Sequence, residues 1–336
     1  MAIEIFGIEM NPSKVAFELF GREIHWYGII IALAFLSAAF YVTRRAPRYG
    51  IQGDDVIDAL LFAVPIGIIF SRLYYVLFNL EKFTQPDGEK IWEIWNGGIA
   101  IYGALIGGVL TVLVFCRVRK RKINFFAFMD LAAPGVILAQ CIGRWGNFIN
   151  REAFGTETDL PWAMSIDGGA GVHPTFLYES LWCLAGFFLM HFLFKKRRFN
   201  GQIMLMYGAW YGLGRSFIEG LRTDALYLGN TNLRISQLLS VAVFLVSLVL
   251  LAYHLLLKEH DPQVELLTPL PYKKKGVLVE PAAISTVEET TQAEEEEIED
   301  IPPTENGTEA ETEAETETET ETETETESTD NADTED

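Results

Sequence analysis

ISQLLSVAVFLVSLVLLAYHLLL, Ile235–Leu257, runs without one Asp, Glu, Lys or Arg. A helix needs about 20 mostly apolar residues to cross the hydrocarbon core of a bilayer. Six more stretches have the same character: Ile24–Val42, Ala59–Leu80, Gly97–Cys116, Phe125–Cys141, Thr175–Phe194 and Gln202–Ile218. Inside a bilayer a helix satisfies its own backbone hydrogen bonds. The predicted fold class is therefore an all-α integral membrane protein, a bundle of seven transmembrane helices. The first run lacks a short apolar segment ending in a small-residue cleavage site. It is read as a span and not as a cleaved signal peptide.

Working outward, the basic residues orient the bundle. Arg44, Arg45 and Arg48 follow the first run, Arg117 and Arg119–Lys122 the third, Lys195–Arg198 the fifth, and Lys258 and Lys273–Lys275 the seventh. Seven spans put all four clusters on one side, which the excess of cytoplasmic Lys and Arg makes the inside. The N-terminus is then outside, and the longer connections, with Trp92, Trp95 and Trp162, face out. The formal net charge of −20 comes from elsewhere. Of the 46 acidic residues, 24 lie from Val277 onward with no Lys or Arg among them, so residues 1–276 carry a net +4. Three segments are expected: a membrane domain (1–260), a basic juxtamembrane linker (261–276) and a Glu/Thr-rich tail (277–336). The tail cannot bury enough apolar surface to order itself and is predicted to be disordered and cytoplasmic. No basic face of a soluble domain suggests nucleic acid. Cys116, Cys141 and Cys183 are too few for a disulfide scaffold.

Ionisable residues within spans are costly and point to function unless they pair helices. At the end of the fourth run stands Gly143-Arg144-Trp145-Gly146-Asn147-Phe148-Ile149-Asn150, followed by Glu152 and Gly155. Arg144 and Asn147 share a helical face. A guanidinium offers a fixed fork of donors suited to phosphate. Tyr211, Arg215, Glu219 and Arg222 form one stripe at the end of the sixth run. Gly103 and Gly107 make a small-residue packing face, and Tyr102 beside them admits either a packing or a site role. His173 and Glu179, near the start of the fifth run, either line a cavity or sit at the interface. His25-Trp26-Tyr27-Gly28 suits an interfacial anchor. Arg72 and Asp130 suit a helix-pairing network. With no metal-binding cluster and no dinucleotide or Walker-type loop, the residues favour a paired-arginine site for an anionic phospholipid headgroup.

The run from Gly143 to Gly155 resembles the signature of bacterial phosphatidylglycerol–prolipoprotein diacylglyceryl transferases. The resemblance extends to Trp26-Tyr27-Gly28, the Gly-rich third run, His173-Pro174-Thr175 with Tyr178-Glu179, and the Tyr211 to Arg222 stripe. It covers about residues 15–258. It implies transfer of the diacylglyceryl group of phosphatidylglycerol to the lipobox cysteine of a prolipoprotein signal peptide. A thioether forms, glycerol 1-phosphate leaves, and no metal or organic cofactor takes part. It further implies a multi-pass protein of the bacterial cytoplasmic membrane with its site toward the outer leaflet. The catalytic set is then Arg144, Arg215, Glu219 and Tyr102. Arg144, Asn147, Asn150, Glu152, Gly155, Tyr27, Tyr211 and Arg222 bind the lipid. Where many members have His-Gly-Gly, this chain has Tyr102-Gly103-Ala104, so the general base is unassigned. The rival reading is a multipass transporter or channel for an anionic solute, with the same arginines as a relay.

Overall fold

The structure is a computed structural model. It describes residues 2–84, 90–119, 122–224 and 233–262, a few single positions, and the strands Tyr272–Lys274 and Val277–Val279. The expected disorder of the tail, from residue 280 on, lies outside the described residues.

The chain is mostly helical: α1 (Trp26–Arg45), α2 (Gly53–Phe78), short α3 (Leu80–Thr84), α4 (Ile101–Val118), α5 (Phe125–Asn150), α6 (Thr175–Leu193), α7 (Gln202–Leu221) and α8 (Ile235–Ala252). A π-turn extends α8 over Tyr253–Leu257. Each apolar run of the sequence corresponds to one of the long helices. Among the described residues, six helices are long and apolar enough to cross a membrane, all of the long ones except α7. The twenty-residue α7 carries the Tyr211–Glu219 stripe, and that polarity sets it apart. The protein is a multi-pass membrane protein, and large apolar side chains such as Leu36, Phe40, Leu61 and Val249 stand exposed on its helices.

The expectation of an all-α chain needs one correction. β1 (Ile3–Ile5), β2 (Ile8–Met10) and β5 (Met164–Ile166) form a three-stranded sheet in the order β2-β1-β5. β3 (Val15–Leu19) and β4 (Arg22–His25) form a separate hairpin. Strands β6 (Tyr272–Lys274) and β7 (Val277–Val279) pair antiparallel. Three-residue strands leave no legible alternation, and β1 draws its stability from a partner some 160 residues away, Ile3 opposite Ile166.

Close backbone approach explains the glycines. A Cβ on Gly103 would lie 2.3 Å from the Phe70 carbonyl oxygen of α2, so α4 packs directly on α2. Gly146 similarly admits the Tyr27 ring of α1 beside α5, where a Cβ would lie 2.8 Å from Cδ2. The Asn124 side chain caps α5, accepting from the amides of Phe126 at 2.9 Å and Ala127 at 3.2 Å, and satisfies two otherwise orphaned donors. Pro65 and Pro134 sit inside α2 and α5, as packed membrane helices tolerate.

The remaining intramembrane charges organise backbone. Buried Asp130 accepts from the amides of Gly201 (2.8 Å) and Met204 (2.9 Å), holding the first turn of α7 against α5. Arg72 of α2 lies over the Phe83 ring of α3, 5.2 Å from its centroid. It donates to the carbonyls of Lys90, Ile91, Gly97 and Gly98 at 2.8–2.9 Å and fastens the connection that leads into α4.

Candidate active site

Glu179 is the hub. It lies in the second turn of α6 and is 2% exposed. Arg144 Nη2 of α5 is 2.7 Å from its Oε1, and Arg215 Nη1 of α7 donates to its Oε2 at 2.9 Å. The Tyr211 hydroxyl donates to Oε1 at 3.1 Å. Two helices, α5 and α7, thus deliver two cations and a phenol to one carboxylate on a third. Arg215 Nη2 also sits 2.5 Å from Glu219 Oε2, one turn along α7. The two arginines and the two glutamates balance in charge. That balance matters, because an uncompensated buried ion is strongly destabilising.

A second layer extends along the end of α5. Arg144 Nη1 donates to Asn147 Oδ1 at 3.2 Å. The amides of Asn147 (2.9 Å) and Asn150 (3.3 Å) both donate to Glu152 Oε1. Glu152 therefore acts on Arg144 through Asn147 and does not touch it. This register depends on how α5 stops. Arg151 adopts the left-handed conformation (φ 57°), turning the chain back so that Glu152 faces the helix end. Arg151 Nη2 is itself held by the Pro12 carbonyl at 2.8 Å.

Gly155 lies where three segments meet. Its amide donates to the His173 carbonyl at 2.9 Å, and a Cβ would come within 2.6 Å of His173 Cβ. It also forms an isolated bridge with Arg222. Arg222 closes the α7 end of the cluster by a fork to Asp224, at 2.8 Å and 2.6 Å, with Nε 4.0 Å from Glu219 Oε2. The Arg222 hydrogen bonds hold the Asp224 carboxyl below the usual carboxylate range. Beside this, Trp162 Nε1 donates to the Tyr178 hydroxyl at 2.8 Å, which lies 3.3 Å from His173 Nδ1.

Arg144, Asn147, Asn150, Glu152, Tyr211, Arg215, Glu219 and Arg222 thus form one connected network. Tyr102 stands apart from it. It opens α4, and its ring neighbours Tyr74 of α2, with centroids 6.2 Å apart. Glu179 is the residue that sequence reasoning undervalued. The signal was charge balance: two buried arginines require more than Glu219 to neutralise them, and Glu179 is the one acidic residue of α6.

The fold and this network describe a multi-pass membrane protein with guanidinium groups gathered near one end of its helices. The family model for prolipoprotein diacylglyceryl transferase matches residues 14–253. The chain is 46% identical over 239 residues to the phosphatidylglycerol–prolipoprotein diacylglyceryl transferase of Finegoldia magna, covering 71% of this chain and 94% of that one. It is 45% identical over 258 residues to the protein of the same name from Limosilactobacillus reuteri, covering 73% and 92%. It is likewise 45% identical over 230 residues to that from Clostridioides difficile, covering 68% and 90%. The chain belongs to the prolipoprotein diacylglyceryl transferase family and is a transferase.

Proposed function

We propose that this protein transfers the diacylglyceryl group of phosphatidylglycerol to the lipobox cysteine of prolipoprotein signal peptides. The observation that carries this reading is the convergence of Arg144 and Arg215, from separate helices, on the two oxygens of one buried carboxylate. Two oxygens held between two guanidinium groups is also what a phosphodiester anion needs. The lipid phosphate takes those donors in place of Glu179. As the bond from the diacylglyceryl primary carbon to the phosphate oxygen breaks, charge grows on that oxygen, and fixed cations stabilise it most there. The cysteine sulfur forms the new bond to carbon, and glycerol 1-phosphate leaves.

The thiol proton needs an acceptor, because a free cysteine has a pKa of about 8.5. Glu179, released from its two guanidinium partners by the arriving phosphate, takes that proton. Asn147 and Asn150 orient the headgroup, Glu152 and Glu219 fix the arginines, and Tyr27, Tyr211, Gly155 and Arg222 shape the lipid site. Tyr102 hydrogen-bonds substrate. We read α7 as a seventh crossing, with the N-terminus outside, the site toward the outer leaflet of the cytoplasmic membrane, and residues 277–336 cytoplasmic.

The test is direct. Purified protein, phosphatidylglycerol and a lipobox peptide should yield a diacylglyceryl-peptide adduct by mass spectrometry. Arg144→Ala and Arg215→Ala should each lower the rate at least about 100-fold, roughly 2.7 kcal/mol of transition-state stabilisation. Near-normal rates in both would overturn the assignment.

A further inference from the structure

Two β-hairpins precede α1, and each turns through a Phe-Gly pair with both residues at positive φ. The values are 54° and 73° for Phe6 and Gly7, and 51° and 73° for Phe20 and Gly21. Two-residue loops of this kind normally take Asn, Asp or Gly at the first position, since a bulky residue there is strained. The hairpins also share one side-chain pattern. In the first, Ile3 and Ile5 stand opposite Met10 and Ile8 on one face, with Glu4 opposite Glu9 on the other. In the second, Phe17 and Leu19 stand opposite Ile24 and Arg22 on one face, with Glu18 opposite Glu23 on the other.

What covers the apolar face differs. Ile3 and Ile5 are buried with Phe148, Met164 and Phe176. Phe17 and Leu19 are half exposed and Phe20 is 97% exposed. The second hairpin is a sheet of two strands only. Such a hairpin is marginal in water, and like charges directly opposite weaken it further. A strained aromatic at its tip gains nothing from the protein.

We propose that the β3–β4 hairpin is an interfacial anchor lying on the membrane. Phe17, Leu19 and Phe20 enter the lipid interface, Arg22 meets lipid phosphates, and Glu18 and Glu23 face water. Three observations select lipid as the occupant. β4 runs without a break into α1, a membrane span, and the Trp26 amide donates to the Lys14 carbonyl at 3.0 Å, fastening hairpin to helix. The hairpin is therefore fixed to one end of a span that itself exposes Leu33, Phe35 and Leu36. The charges match as well: the cation shares the apolar face and both carboxylates point away, as an anionic lipid surface requires. The tip lies about 17 Å from the helix start at the usual strand rise, so a hairpin lying flat reaches over neighbouring lipids. The proposal needs only that α1 crosses the bilayer, and neither the orientation nor the reaction enters it.

The experiment uses the full chain in phosphatidylglycerol-containing vesicles. Nitroxide labels are placed through Phe17→Cys, Phe20→Cys and Glu18→Cys, the native Cys116, Cys141 and Cys183 being buried. Labels at 17 and 20 should collide at least threefold less with a water-soluble nickel chelate than the label at 18, and more with oxygen. Equal aqueous profiles at all three overturn the proposal. So does protection at 17 and 20 that appears only when a lipobox peptide is added, which would make the peptide the occupant.

Discussion

Glu179 carries one negative charge and faces two guanidinium groups, so its replacements separate charge from shape. Glu179→Gln keeps the volume but sets an amide donor against a cation and removes the proton acceptor. We expect kcat to fall about 100-fold, some 2.7 kcal/mol. The KM for phosphatidylglycerol should stay within threefold or fall, because the arginines lose a competing anion. Steady-state kinetics with a lipobox peptide checks both. Glu179→Ala should also destabilise the fold, since breaking a buried ion pair costs about 3–5 kcal/mol. The Arg222–Asp224 fork gives a pH signature of the opposite kind. Asp224 titrates below its ordinary value because Arg222 holds its charged form. Its stabilising contribution is then fully present above the unfolded carboxylate pKa of about 3.9 and is lost as pH falls through the lower folded value. The difference in thermal midpoint between the native chain and Asp224→Asn should be flat from pH 8 to 5 and shrink only below about pH 4.

The relative register of α6 and α7 decides whether Glu179 and Arg215 meet. Trp182 and Trp210 fix it. Each indole Nε1 donates to the other's backbone carbonyl at 2.9 Å, and the rings stack with centroids 4.4 Å apart. Trp182 lies one turn beyond Glu179. Gly214, adjacent to Arg215, gives it room, and a Cβ there would lie 2.2 Å from Trp182 Nε1. Gly214→Ala should therefore push the helices apart, costing about 1–3 kcal/mol as overpacking does, and lower transfer at least tenfold. Thermal denaturation in detergent and the rate assay read the two effects. This element also marks how far the sequence was legible. Run length and polarity revealed every long helix, and four-residue spacing revealed the Arg215 stripe. Spacing along one helix says nothing about its rotation against another. Gly208 and Gly212 of α7, for instance, face α8, while Gly214 faces α6. The same blindness hid Glu179, whose importance lies entirely in what two other helices bring to it. It also hid the sheet that joins β1 to β5, a pairing across some 160 residues.

Across the whole chain, acidity and site are segregated. The stretch after Val277 carries 24 acidic residues and no Lys or Arg, whereas the network around Glu179 lies between Arg144 and Asp224. The family match ends at residue 253. Among the described residues, the last that touches the network is Arg234, which donates to the Glu219 carbonyl. Ending the chain after Val279 keeps the β6–β7 pair and removes residues 280–336 with most of the negative charge. Long-range repulsion of an anionic lipid by so many carboxylates would be screened within about 8 Å at physiological salt. On the proposed orientation the bilayer would also separate those carboxylates from the outer-leaflet site. The truncated protein should transfer diacylglyceryl within twofold of the full rate at both 20 mM and 150 mM salt (roughly 20 Å and 8 Å of screening). A loss at both salts, or one confined to low salt, would mean that the acidic stretch contacts the enzyme. A gain confined to low salt would mean that it repels the lipid and shares a face with the site, which would reverse the proposed orientation.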